Sequence, residues 1–259
     1  MGQTSGMQPR SVPFAPGGYR FVPGRQFSGG VAAEPGFALR RVRFREPLPL
    51  ARGLAAARAI LDALGRPPEA LAACELRSPL PLPIAEFLAF NETYLAALRA
   101  NGFAAHPPYP IGRSNLAPIL APPAEVALFA VTFTVPREGQ AEGAGGTDFF
   151  ISGKPETSAA ASFEEGIVGG ADVSPAGLRV KAEYVMAELR ARMAELGVEE
   201  HRVTGAQAYT IHPLEPVLEI VTGRLPLAWG GLTLVPAHPP VTGLAFEVDL
   251  RAISEECVA

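Results

Sequence analysis

The chain has 259 residues, 48% hydrophobic and 19% charged, which is ample for one large domain or two ordinary ones and too apolar for a disordered chain. Its 22 basic and 26 acidic side chains give a formal charge of -4, the wrong sign for gripping phosphate backbones, so nucleic acid is not an expected partner. Cys74 and Cys257 form no CxxC pair, and no run of about 18 apolar residues could span a bilayer. A reducing, cytoplasmic setting is expected, with no membrane attachment, disulfide framework or zinc site.

In chain order, the first landmark is the Ser-Gly of Phe27-Ser28-Gly29, which reads as part of an opening strand. Apolar residues from Leu54 to Leu64 then recur at helical spacing, and the run stops at Gly65, a natural left-handed C-terminal position. A strand from Leu71 to Leu76 follows, then a second helix carrying FNETY (Phe90 to Tyr94). A stretch made rigid by its prolines, from Ala104 to Gly112, leads into GRSNL (Gly112 to Leu116). After Pro122-Pro123 comes an alternating strand at 125–133. The Gly-rich, charged segment from Arg137 to Gly146 reads as a linker.

The same order then recurs. Ile151-Ser152-Gly153 repeats the Ser-Gly strand, and a helix from Ala176 to Leu196 stops at Gly197. The spacing from Leu64 to Leu71 equals that from Leu196 to Val203, where the next strand begins. Carried forward without a gap, the offset sets Pro81-Leu82 on Pro213-Leu214 and Leu88 on Ile220, at a second helix. Pro239-Pro240 precedes a closing strand at 243–250, which should turn Leu244, Phe246, Val248 and Leu250 to the helices and Glu247 and Asp249 away. Each unit thus implies an α+β fold, a mixed sheet with two helices packed on one face. The expected domains are residues 17–136 and 148–259, joined by a linker at 137–147.

Segment order, FNETY and GRSNL together resemble the RidA/YjgF family of imine and enamine deaminases, and the chain is similar to a tandem, two-domain (chorismate mutase-like) form of it. The resemblance implies an oligomer with trimer-like packing of such units, whose clefts bind a small carboxylic acid. Under it, Arg113 clamps the carboxylate with parallel guanidinium donors, Ser114, Asn91 and Tyr94 line or brace the cleft, and Ser28 and Gly29 supply hydroxyl and backbone contacts. The family's acid on the final strand, which orients a hydrolytic water, has no counterpart within Ala127 to Val131 and falls at or near Glu247 in the second half. The family's arginine is in turn replaced there by Trp229-Gly230-Gly231.

Arg113 and Glu247 are therefore expected to share one composite site, with Glu247 catalytic. The implied reaction is hydrolytic deamination of a carboxylated enamine or imine, such as a 2-aminomuconate-type ring-cleavage product, with Glu247 taking a proton from water. No cofactor or metal is expected, since His106, His201, His212 and His238 lack ligand spacing. A chorismatase-like hydrolase and a non-catalytic metabolite binder are open alternatives on the same scaffold. At the residue level, Arg113 could instead pair with Glu92, Glu247 and Asp249 could form a solvated strand face, and Tyr94 could be core.

Overall fold

The computed structural model describes residues 11–137, 146–223 and 231–259. Most of the anticipated linker and the Trp229-Gly230 pair lie outside the described residues. The first half runs β1 (Val12–Phe14), β2 (Tyr19–Val22), β3 (Gly30–Ala33), β4 (Phe37–Pro49), α1 (Leu50–Ala63), β5 (Leu71–Arg77), α2 (Ile84–Ala100), β6 (Gly112–Pro118) and β7 (Ala127–Pro136). The second runs β8 (Phe149–Pro155), α3 (Phe163–Gly166), α4 (Pro175–Leu196), β9 (Gly205–Thr210), α5 (Leu218–Thr222), β10 (Leu232–His238), β11 (Glu247–Ala252) and β12 (Glu255–Val258).

Local sequence explains the two long helices that carry the packing. α1 buries Leu54, Ala57 and Leu61 at helical spacing, and Gly65 beyond its end takes φ 63°. In α4, Ser174 caps the N-terminus by accepting from the Gly177 N–H at 3.2 Å, Pro175 occupies the first turn, and Gly197 closes the helix at φ 64°. Its apolar stripe of Leu178, Ala182, Val185, Met186, Leu189 and Met193 meets Phe246, Val248 and Leu250 of the closing strand region in one core. The first core, in the first half, joins α1 and α2 to β4, β5 and β7 through Leu54, Leu61, Leu71, Tyr94, Leu98 and Val131, and the α4 core is the second.

The strands correct the expected architecture. Two separate RidA-like sheets with two helices apiece are not found; the described residues form one mixed, 12-stranded sheet of order β1-β2-β3-β8-β11-β9-β10-β6-β5-β7-β4-β12. The physical reason is that strand edges are satisfied across the halves rather than within them. β3 pairs antiparallel with β8, β10 pairs antiparallel with the end of β6, and the C-terminal β12 lies parallel to β4. That last pairing is reinforced by Arg40–Glu255 at 2.7 Å and Arg41–Glu256 at 3.0 Å. Helices are also unequal, with α2 running 17 residues and α5 only 5.

Within this sheet the run β4-β7-β5-β6 is matched by β8-β11-β9-β10, with the same parallel and antiparallel senses. The sheet also curls. Ser28 bridges Gly112 and donates its N–H to the Ile111 carbonyl at 2.9 Å, bringing the start of β6 onto β3 and β8. No helix among the described residues is long and apolar enough to cross a membrane.

A continuous sheet should unfold as one unit. Leu54→Ala in the first core and Leu250→Ala in the second should each cost about 2–5 kcal/mol, shifting one common denaturation midpoint measured by circular dichroism. Two separate transitions, one per variant, would contradict the shared sheet.

Candidate active site

The curl sets a cleft of about 590 Å³ between α2, α4 and the 22–29 segment, a size suited to a small ligand. Phe27 and Gly29 line it from the segment before β3, Phe87 and Asn91 from α2, and Tyr184, Glu188 and Arg192 from α4. Lys154, at the end of β8, completes the wall.

Arg113, on β6, is 3% exposed and lies behind this wall. Its Nη1 donates to Asn91 Oδ1 at 2.7 Å; Asn91 Nδ2 donates to Gln26 Oε1 at 2.7 Å, and Gln26 Nε2 to Glu92 Oε1 at 2.6 Å. Glu92 thus reaches Arg113 only through two amides. The guanidinium sits over the rings of Phe27 (4.2 Å), Tyr94 (5.2 Å) and Phe87 (5.3 Å), a cage that favours a cation. Burial lowers its pKa to about 10, with Tyr94 and Glu247 pulling the other way. No carboxylate lies within ion-pair distance among the described residues.

Glu247, the first residue of β11, is 3% exposed, not on a solvated face. Its Oε2 is buried without a hydrogen-bond partner, and its Oε1 occupies the place where a Cβ on Gly153 would be. Only glycine leaves room for that carboxyl. Burial, then the neighbouring Asp249 and Glu156, raise its pKa well above the ordinary 4.5, while Arg113 and Arg192 oppose the rise. Arg113 and Glu247 therefore lie within each other's field, one from each half of the chain. Two strong contacts orient the strand entry, since Glu156 accepts from the Ala245 N–H at 2.6 Å and the Phe246 N–H at 3.2 Å. Glu156 is itself paired with buried Lys181 at 3.5 Å.

Other residues singled out by sequence take different places. Ser28 is fully buried and its hydroxyl donates to the Gly30 and Val22 carbonyls at 2.6 and 3.0 Å, so it braces the loop. Ser114 donates to Asp249 Oδ2 at 2.7 Å, on the far side of the strand from the cleft residues of α2. Asp249 is fully buried, contrary to a solvated face, and also accepts from Tyr209 and Gln207. Tyr94 belongs to the first core and reaches the site only through its ring against Arg113. Gly29 and Asn91 do line the cleft.

Sequence reasoning missed Lys154, Arg192 and the brace at Ser152. Arg192 Nη1 donates to the carbonyls of Ser152 at 2.9 Å and Gly29 at 3.4 Å. Lys154 donates to the Thr157 carbonyl and stands 3.7 Å from Glu188. The only signal was the spacing Tyr184, Glu188, Arg192 along α4, which also describes an ordinary solvated helix face. No group of three or more His, Cys, Asp and Glu among the described residues is arranged to hold a metal ion.

Because the folded state raises the pKa of Glu247, the native protein holds a proton between pH 4.5 and that higher value which the unfolded chain has released. Stability from this group is intact below that window and falls as pH rises through it, by about 1.4 kcal/mol per pH unit. Glu247→Gln cannot ionise. The variant should match the parent in thermal denaturation at acid pH and exceed it increasingly as pH rises through the window, the difference becoming constant above it; parallel curves would mean the carboxyl is not strained by burial.

With the geometry in place, comparison with known proteins is informative. The family model described as 2-aminomuconate deaminase CnbZ matches residues 11–257. A 2-amino-5-chloromuconate deaminase from Comamonas testosteroni is 36% identical over 252 residues, covering 96% of this chain and 99% of the relative. A crystal structure of a chorismatase aligns with TM-score 0.44 and 15% identity over 90% of this chain and 80% of that one, too distant to carry an argument. The match along almost the whole length places this chain in the 2-aminomuconate deaminase CnbZ family.

Proposed function

We propose that the chain is a hydrolytic deaminase of a carboxylated enamine of the 2-aminomuconate type, releasing ammonia. The observation that carries this reading is the buried Glu247 carboxyl, with a free oxygen, beside an Arg113 guanidinium that has no anionic partner. Family membership and the naming of a close relative as a 2-amino-5-chloromuconate deaminase support it.

In this mechanism Arg113 holds the carboxylate next to the amino-bearing carbon, so that the enamine lies beside Glu247. A bidentate guanidinium suits that task because it cannot lose its charge at working pH and fixes the plane of the carboxylate. Glu247, protonated at rest, gives its proton to the enamine carbon and generates an iminium. The carboxylate left behind then takes a proton from water as the oxygen adds to the iminium carbon. Transfer of that proton to nitrogen lets the C–N bond break as the hydroxyl proton passes back to the Glu247 carboxylate, leaving a ketone, ammonia and the acid protonated again. Every step is a proton transfer or the addition of water, so side chains that carry protons suffice.

Ammonia release from 2-aminomuconate, followed with a coupled glutamate dehydrogenase assay, is the test. Glu247→Gln should lower kcat by roughly 100- to 10,000-fold, and Arg113→Ala should raise KM as well as lower kcat/KM. In the parent, kcat/KM should fall as pH rises past the raised pKa of Glu247, because the first step needs its proton. Full activity in Arg113→Ala, or a profile that climbs through that pH range, would remove this reading.

A further inference from the structure

Arg192 lines the same cleft as Asn91, the residue that holds Arg113, and its chemistry is unfinished. It is half-buried on α4, and its Nη1 is committed to the Ser152 and Gly29 carbonyls. Those two bonds hold the guanidinium in place without neutralising it. Nothing in the described residues brings a carboxylate within ion-pair distance of it, although Glu188 and Glu195 stand on the same helix face and line the same cleft. Glu188 is engaged instead with Lys154 at 3.7 Å. Other cations are treated differently: Arg41 is paired with Glu75 at 2.6 Å, Lys181 with Glu156 at 3.5 Å and Arg190 with Glu200 at 3.4 Å.

A guanidinium partly removed from water and left without an anion is costly unless a ligand supplies one. Arg192 and Arg113 are also joined through one residue. Ser152 Oγ accepts from the Arg113 backbone N–H at 3.0 Å while the Ser152 carbonyl accepts from Arg192, so the two cations are set relative to each other by the backbone of β8. Both also lie within the electrostatic field of Glu247. Gly29 packs closely here, since a Cβ there would come within 3.3 Å of Val22 Cγ1 and meet Arg192 Nε at 3.6 Å.

We infer that Arg192 binds the second, distal carboxylate of a dicarboxylic substrate and makes the site select linear diacids over the corresponding monoacids. This rests on the deaminase reading for the role of Arg113, but the selection itself is a binding property. Arg192 on the cleft wall and Arg113, held behind that wall by Asn91, offer two cationic ends to a conjugated six-carbon diacid with an anionic group at each end. A monocarboxylic enamine engages Arg113 alone and leaves Arg192 without its anion.

Two stable, non-reacting probes separate the possibilities: trans,trans-muconate, and sorbate, which carries a methyl group where muconate has its distal carboxylate. In isothermal titration calorimetry the parent should bind muconate more tightly than sorbate by roughly ten- to hundredfold, the range for a charge-assisted hydrogen-bonded pair. Arg192→Gln should erase that preference by weakening muconate binding far more than sorbate binding, and Arg192→Lys should restore part of it. Equal binding of both probes by the parent would overturn the inference. So would an equal loss of both in Arg192→Gln while Arg192→Lys binds normally, since Arg192 would then serve only to hold the Ser152 and Gly29 carbonyls. Diacid selection without ammonia release from 2-aminomuconate would instead sink the deaminase reading and leave the diacid site standing.

Discussion

Ser152 is the point on which the site depends. Its hydroxyl donates to the Ser28 carbonyl at 2.6 Å and accepts from the Arg113 N–H, while its carbonyl accepts from Arg192. Three segments distant in sequence, the approach to β3, the start of β6 and the C-terminal turns of α4, are thereby tied to one residue of β8. The hydroxyl is fully buried and fully used, and such satisfied networks are rigid because breaking any member strands a polar group in a dry interior. The cleft is consequently walled by α2, α4 and a 22–29 segment tethered at Ser28 and Gly29.

Buried charge is divided into two kinds. Deep in the sheet, burial alone would raise the pKa of Glu75, but the two-pronged contact from Arg41 at 2.6 and 2.8 Å draws it down to about 2. Gln207 bridges Glu75 to Asp249, and Arg77 stacks 3.9 Å from the Phe129 ring centroid while donating to Gln207. That network is closed, with each charge answered by protein. Around the cleft the pattern reverses: Glu247 keeps an oxygen without a donor, and Arg113 is held by an amide and aromatic rings in place of a carboxylate. Groups left in that condition are where a ligand gains most, because it relieves a cost the fold has already incurred.

The composite character of the site follows from the topology. The matched runs β4-β7-β5-β6 and β8-β11-β9-β10 put Arg113 on the last strand of one and Glu247 on the second strand of the other. Joined edge to edge and curled by the Ser28–Gly112 bridge, they bring a cation from one half and an acid from the other into a common field. A single half would carry either the arginine or the acid.

Much of this was legible in the chain. Helical periodicity located α1 and α4 with their glycine stops, and alternation in 243–250 separated Phe246, Val248 and Leu250, which pack on α4, from the acids opposite. These are local properties, set by the period of each element and by where a left-handed residue can end a helix. Arg113 and Glu247 also stood out, since an arginine and an acid in apolar strands need a reason to be there. What sequence could not supply was edge pairing, because any strand edge offers the same unpaired N–H and C=O groups, and only three-dimensional closure chose β8 for β3 and β4 for β12. For the same reason Ser28 and Ser114 turned into braces and Arg192 into a wall of the cleft: a hydroxyl or guanidinium has many possible partners, and tertiary structure alone determines which ones come within reach.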